Sequence, residues 1–251
     1  MNYYIHFTVL FFFIISSLSY SQKNLNYQQP RKELLDLVNV DRAPSVLKDD
    51  KNDYMVFVYR PEYKSIDELS QKEMRLGGLR VNPYLNIGSR TTYYNKVKIL
   101  RLKKGDKHPI EVNGLPENPK LSNFIYSPDQ SKIAMINTSS DRLELWVLDI
   151  KKALAVKIDT PSLNATLGSV INWFSDNKNL LIKIRPEKSN IIIDQEKSIP
   201  IGPTITENKG EKAQNRTYQD LLKNITDENN FEQLSRSKLI KVNLKGKISQ
   251  W

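Results

Sequence analysis

The chemistry open to this chain is limited first by its histidines. There are two, and His6 lies in an apolar leader, so His108, beside Pro109, is the one histidine in the body of the chain. Serine hydrolysis needs a hydroxyl held by a base, most often an imidazole, and a lone turn histidine reads as a surface residue. Gly88-Ser89 and Gly168-Ser169 lack the flanking glycines of a G-x-S-x-G elbow. Asp106-Lys107-His108 offers two candidate metal ligands, fewer than a protein site needs, and the lack of cysteine excludes thiol catalysis and thiolate sites. The carboxylate pairs Asp49-Asp50 and Asp227-Glu228 fall in predicted turns or at a helix start, where such residues cap or face solvent rather than act as acid and base. No phosphate loop or dinucleotide fingerprint occurs. No catalytic, cofactor-binding or metal-binding residue is therefore assigned, and no cofactor is expected.

The elements that would position a site are carried by a repeat. Tyr126-Ser127-Pro128-Asp129-Gln130-Ser131-Lys132-Ile133-Ala134 is an aromatic strand end, a polar turn and an apolar strand. Trp173-Phe174-Ser175-Asp176-Asn177-Lys178-Asn179-Leu180-Leu181 repeats it 47 positions on. A period in the forties around a strand-turn-strand core is the mark of propeller blades. A third, degenerate copy puts Leu47 at the place of Tyr126, Lys48 to Asp53 as the turn, and Tyr54 to Tyr59 as a buried strand. The fold class is thus all-β, an incomplete propeller of about three four-stranded antiparallel blades with helical insertions.

Blade 1 spans about 44–118 with an insertion at 61–83, where Ser65-Ile66-Asp67-Glu68 is a capping box opening a helix from Ile66 to Leu76 that Gly77-Gly78 stops. Thr91 to Leu102 returns to strand, and a turn at Lys103-Lys104-Gly105-Asp106 leads to an outer strand over His108 to Val112. Blade 2, about 119–161, has strands at 123–126, 132–137, 143–148 and 155–158, with Trp146 packed between sheets. Blade 3, about 165–251, has strands at 170–173, 179–184 and 238–244, with Lys245-Gly246-Lys247 as a turn and no fourth strand. Its insertion, 185–236, holds an irregular Pro200-Ile201-Gly202-Pro203. A helix there is capped by Thr217-Tyr218-Gln219-Asp220, with Tyr218, Leu221, Leu222 and Ile225 at helical spacing, as are Phe231 and Leu234 further on.

Residues 1–21 read as a signal peptide. Phe7 to Leu18 is a block dominated by Phe, Ile and Leu, too short to span a bilayer comfortably. Ser19-Tyr20-Ser21 supplies small residues for cleavage before Gln22, although no Lys or Arg precedes the block. The product is exported, periplasmic or secreted, with membrane contact only through an uncleaved leader. A polar segment over 22–43, with a short helix or strand from Lys32 to Val38, leads into blade 1. The formal charge of +10 is spread along the chain and reads as a solvated surface, without the aromatic-basic interleaving of a nucleic-acid binder.

Several segments together resemble the glutamyl endopeptidase-like branch of the prolyl oligopeptidase family of serine peptidases, in its N-terminal region. They are Ala43-Pro44-Ser45, Arg60-Pro61 through Glu68-Leu69, Met74-Arg75-Leu76-Gly77-Gly78-Leu79-Arg80-Val81-Asn82-Pro83, Gly114-Leu115-Pro116-Glu117-Asn118-Pro119, Leu163-Asn164-Ala165-Thr166-Leu167-Gly168, Gly202-Pro203, and Arg216-Thr217-Tyr218-Gln219-Asp220-Leu221-Leu222-Lys223. The resemblance implies an N-terminal propeller that screens an active site and admits peptides, followed by an α/β-hydrolase domain carrying Ser, Asp and His. This chain holds no counterpart of that second domain, so no catalytic residue carries over and the chain is not expected to hydrolyse peptides alone. Peptide or protein substrates belong to the longer enzyme. Glu-directed cleavage, with a basic pocket residue such as Arg80 or Arg90, rests on resemblance only. The turn at Asp49-Asp50-Lys51 departs from the Ser-Pro-Asp-Gly form of the repeat, which bears on the register of blade 1. The alternatives are a non-enzymatic periplasmic protein-binding propeller and a non-functional gene fragment.

Overall fold

A computed structural model describes residues 28–38, 42–187, 192, 210 and 220–250. The chain divides into two compact units, Met1–Val40 and Asp41–Trp251. In the first, the described residues hold one helix, α1 (Lys32–Val38), which leaves Leu37 74% exposed. Among the described residues no helix is long and apolar enough to cross a membrane. The leader at 1–21 lies outside the described residues.

The second unit is built from three four-stranded antiparallel sheets made by successive stretches of chain. The first contains β1 (Ser45–Lys48), β2 (Tyr54–Tyr59), β6 (Lys96–Arg101) and β7 (Ile110–Glu111), with the short helix α2 (Ile66–Ser70) and a side sheet of β3 (Met74–Leu76), β4 (Leu79–Asn82) and β5 (Ile87–Gly88) inserted between β2 and β6. The second sheet is β8 (Leu121–Tyr126), β9 (Lys132–Thr138), β10 (Leu143–Asp149) and β11 (Leu154–Ile158). The third is β12 (Ile171–Trp173), β13 (Asn179–Ile184), β14 (Lys238–Asn243) and β15 (Ile248–Gln250), with α3 (Ile225–Ser235) in the excursion between β13 and β14. Within each sheet the strands lie in sequence order, the arrangement of a propeller blade.

The sheets stack face to face, and that stacking explains the apolar runs. Val56, Val58, Val97 and Ile99 of the first sheet pack against Ile133, Met135, Trp146 and Leu148 of the second. On its other face, Ala134, Ile136, Leu145 and Val147 meet Ile171, Leu180, Ile182, Ile240 and Val242 of the third. The middle sheet is covered on both sides, so β9 reads as an unbroken Ile-Ala-Met-Ile run instead of an alternating one.

Four expectations are corrected. The helix begun at Ile66 ends at Ser70, with Ser65 accepting from the Glu68 N–H at 3.2 Å. Met74, Arg75 and Leu76 instead form β3, with the buried-exposed-buried alternation of a strand. Gly77 and Gly78, at φ 57° and 80°, make the two-residue hairpin turn to β4, closing on the pair Leu76–Leu79, a backbone geometry that favours glycine twice over. A fourth strand follows the Lys245–Lys247 turn after all, since β15 pairs with β14 through Val242–Ile248 and Ile240–Gln250.

The third correction concerns the last helix. Thr217 to Gln219 and the Pro200–Pro203 stretch lie outside the described residues, but Asp220 has φ 58° and is not helical. The helix starts at Ile225, capped by Asn224, whose side chain accepts from the Asp227 N–H at 2.9 Å; the Asp227 carboxylate accepts in turn from the Lys223 N–H at 3.0 Å. The fourth is a register. Lys48 pairs with Met55, Tyr126 with Ile133 and Trp173 with Leu180, each pair closing a six-residue turn. Lys48, not Leu47, therefore holds the place of Tyr126. The fourth residue of each turn (Asn52, Gln130, Asn177) has positive φ.

Candidate functional site: a polar cap at one end of the sheets

In an up-and-down sheet the first and third turns share one end and the second turn lies at the other. Both insertions, residues 60–95 and 185–237, replace second turns, whereas the middle sheet has the short Ser139–Arg142 turn there. They therefore rise from the same end of the unit. Met74, Leu76 and Val81 of the side sheet bury themselves against Leu234, with Leu79, Leu222 and Phe231 around them. A Cβ on Gly77 would lie 3.1 Å from the Phe231 ring, so the hairpin tip and α3 touch where a larger residue would crowd the ring.

Asparagines fix the base of this cap. The buried Asn164 donates from Nδ2 to the Leu234 carbonyl at 3.0 Å and the Arg236 carbonyl at 2.9 Å, and its Oδ1 accepts from the Thr166 N–H at 3.0 Å. Asn86 donates to the same Leu234 carbonyl at 3.2 Å. The end of α3 would otherwise leave these carbonyls without partners.

Glu73 is the polar centre. Its carboxylate accepts from Ser89 Oγ at 2.5 Å, Arg75 Nε at 2.9 Å and an Arg80 guanidinium nitrogen at 3.4 Å. Arg80 also reaches Asp220 at 3.6 Å, and the Gly78 N–H donates to the Asp220 carbonyl at 3.2 Å. The Ser89 hydroxyl first, then Arg75 and Arg80, outweigh the upward push of burial and hold the Glu73 carboxyl below its ordinary range. A carboxylate so stabilised is a poor proton acceptor, and no imidazole stands beside Ser89, so this pair orders the cap and does not create a nucleophile.

A cleft of about 340 Å³ opens beside it, lined by Lys64, Glu68, Gln71, Glu73, Arg90 and Tyr93 among others. Arg80 is committed to its two carboxylates. Arg90 and Lys64 are exposed at the cleft without ion-pair partners among the described residues.

At the far end, Asp106, His108 and Asp49, weighed in the sequence, are separated from this cleft. Asp106 takes its hydrogen bond from Arg101 Nε at 2.6 Å, and His108 is exposed nearby. Asp49 is a buried turn organiser, only 3% exposed, accepting from the Asp53 and Tyr54 N–H groups. Of the two roles expected for it, capping and facing solvent, it takes the first. Glu73 escaped sequence reasoning, and Ser89 was weighed only as an elbow nucleophile, since the two share no motif that marks their pairing.

No protein-family model matches the chain. Two plant proteins do, each named probable glutamyl endopeptidase, chloroplastic. The rice protein is 28% identical over 240 residues, 91% of this chain and 25% of its own length. The Arabidopsis thaliana protein is 28% identical over 235 residues, 89% of this chain and 24% of its own. The chain thus spans about a quarter of the length of these relatives. Among solved structures, a Pyrococcus horikoshii acylaminoacyl peptidase matches 65% of this chain and 20% of its own at 19% identity and TM-score 0.34. A putative dipeptidyl aminopeptidase IV from Bacteroides ovatus matches 56% and 20% at 14% identity and TM-score 0.33. Over about nine-tenths of its length the chain is thus similar to proteins named glutamyl endopeptidase, the branch that its sequence segments resemble, and it matches a quarter of theirs.

Proposed function

We propose that this chain is the propeller part of an exported serine endopeptidase of that branch, the part that screens the active site and admits peptide substrates. The observation that carries the reading is the cap, where two insertions from different blades rise from one end and pack together, the first of them lining a charged cleft. Insertions placed there restrict what reaches that end of a propeller, which suits a gate. The similarity to named peptidases over almost the whole chain supports the same assignment. The parts are a signal peptide over 1–21, an N-terminal segment over 22–43 and blades over 44–251. On its own the chain turns over no peptide, because the triad belongs to a hydrolase domain that this quarter does not supply.

The test begins with the coding sequence beyond Trp251. The expected result is a continuation encoding a G-x-S-x-G elbow and later Asp and His, whose full product cleaves a chromogenic Glu-containing peptide while residues 22–251 do not. A stop followed by unrelated sequence, or turnover by residues 22–251 alone, overturns the proposal. Export is tested separately by the amino terminus of the protein recovered from the periplasm, expected at Gln22.

A further inference from the structure

Charge that the sequence spreads along the chain is sorted by the fold. At the capped end cations are matched with acids: Arg75 and Arg80 with Glu73, Arg80 with Asp220, and Lys120 with Asp67 at 3.1 Å. The opposite end divides between inner and outer turns. Its inner turns, joining the first and second strands of each sheet, hold Asp49, Asp129 and Asp176, whose carboxylates accept from turn N–H groups. Its outer turns, joining the third and fourth strands, carry exposed lysines in every sheet. They are Lys103, Lys104 and Lys107 in the first, Lys151 and Lys152 in the second, and Lys245 and Lys247 in the third. Lys103 pairs with Asp53 and Lys152 with Asp149, and Asp106 is taken by Arg101. The other five lysines form no ion pair among the described residues.

The outer turns are short, and their backbones are held. Gly105, Ala153 and Gly246 give each of them one positive φ, at 68°, 50° and 79°. The turn of the second sheet rests on the chain leaving β7: the Asn113 N–H donates to the Ala153 carbonyl at 2.9 Å, and the Ala155 N–H to the Asn113 carbonyl at 2.8 Å. The turn of the third sheet rests on the chain leaving β11, where a Cβ on Gly246 would lie 3.3 Å from the Asp159 carbonyl oxygen. The same kind of contact thus sets successive lysine turns along one rim. In each sheet the first strand starts and the fourth strand ends at the capped end, so chain before β1 or after β15 departs from that end and not from the lysine rim.

We propose that the lysine rim docks this protein on an anionic lipid bilayer surface. The outer turns, residues 102–109, 150–153 and 244–247, contain no arginine and no Phe, Tyr or Trp. A lysine ammonium is a point charge without the planar fork that grips a single phosphate, and nucleic-acid strands are held largely by stacking bases on aromatic rings. Unpaired lysines repeated along an edge instead match charge dispersed over a plane of headgroups. Each lysine close to such a surface raises the partition coefficient about fivefold, and the attraction falls within a Debye length as salt is added. Docking by this rim turns the capped end away from the bilayer and leaves its cleft open to solutes. The inference is independent of the peptidase reading, since it uses the outer turns alone.

The test is sedimentation of the full chain with mixed phosphatidylcholine–phosphatidylglycerol vesicles and with pure phosphatidylcholine vesicles. The apolar leader acts on both, so the readout is the ratio of the two partition coefficients. A ratio well above one that falls as salt is raised is expected. The variant Lys107→Gln/Lys151→Gln/Lys245→Gln, one exposed lysine from each outer turn, should lower the ratio about a hundredfold, and each single change about fivefold. Lys64→Gln/Lys223→Gln/Lys238→Gln removes the same charge from exposed positions at the capped end and should leave the ratio within about threefold, less than one rim lysine is worth. Far-UV circular dichroism verifies that all variants keep the parent fold. A ratio of one at low salt overturns the proposal. Equal losses in the two triple variants overturn it too, since net charge and not the rim would then be responsible. So does a DNA duplex that holds the chain through the rim lysines at a salt concentration that releases it from the charged vesicles.

Discussion

Trp173 Nε1 donates to the carbonyl of Ile125 across the seam between the second and third sheets, at 3.1 Å. Tyr126, 47 positions earlier in the repeat, donates to Leu47 across the previous seam at 3.3 Å. The two aromatic residues that mark the repeat in the sequence thus do one job. Each ends an inner strand, lies against its neighbour blade, and satisfies a carbonyl that the sheet's inner edge leaves without a strand partner. An aromatic ring with a polar tip meets both demands at once, and a purely apolar ring would meet only the first.

Trp173→Phe separates the two demands. Removing the indole donor leaves the Ile125 carbonyl unpaired, a loss of about 1 kcal/mol, and the smaller ring adds about 1–2 kcal/mol of lost packing. Tyr126→Phe removes only the hydroxyl and should cost about 1 kcal/mol. Urea unfolding monitored by far-UV circular dichroism checks both. The seam role fails if Trp173→Phe shifts the midpoint no more than a surface substitution does.

Alkaline pH should act on the same seam. Burial first, then the Asp49 and Asp50 carboxylates, pushes the Tyr126 phenol up to about 12. In the unfolded chain it titrates near its ordinary value of about 10. The folded state keeps the proton longer, so this contribution is intact below pH 10 and is lost as pH rises from about 10 through 12. Subtracting the stability of Tyr126→Phe from that of the parent should give a difference that is flat to about pH 10 and then falls. A flat difference to pH 12 would mean the phenol titrates normally.

Gly114 is set by sterics. Its φ is 79°, and a Cβ would lie 2.3 Å from the Ala155 carbonyl oxygen, where the connector after β7 crosses β11 through the Asn113–Leu154 bridge. Gly114→Ala must move backbone as well as adopt a disfavoured φ, and should cost about 3 kcal/mol or more. Gly105→Ala, with φ 68° but open space around it, should cost only about 1–2 kcal/mol. Thermal melts of the pair, with Gly105→Ala as the strain-only reference, measure the difference. Equal losses would remove the steric argument.

What the sequence made legible follows the local signals. Tyr54–Tyr59 and Asn179–Ile184 are strands to the residue, because β-branched and aromatic runs between polar turns have few alternatives. The second blade is nearly as clear, and Trp146 packs between sheets as its setting implied. The failures come where a short signal is ambiguous. Gly77-Gly78 ends a helix or turns a hairpin with equal ease, and only the alternation of Met74 and Leu76 decides. Lys48 could not be matched to Tyr126 and Trp173 because it shares their register and not their chemistry. The cap was least legible: Glu73, Ser89, Arg80 and Asp220 converge through strand pairing and a long insertion, and neither leaves a spacing to read.

Asn164 gives the sharpest test of that cap. Its amide is the link between the connector before β12 and the C-terminal end of α3, donating to two carbonyls while buried to 1% exposure. Asn164→Ala strands both acceptors away from water and should cost about 1–3 kcal/mol, concentrated on α3. Asn164→Asp keeps the volume but sets a carboxylate against two carbonyl oxygens, and should be worse. Hydrogen exchange separates this from global loss: the amides of Phe231 to Ser235 should exchange faster in both variants, with those of β9 and β10 close to the parent. The stacked sheets do not depend on Asn164, whereas the hold of α3 on the side sheet does, so loss of protection spread evenly over all strands would show the cap to be inseparable from the blades and no gate.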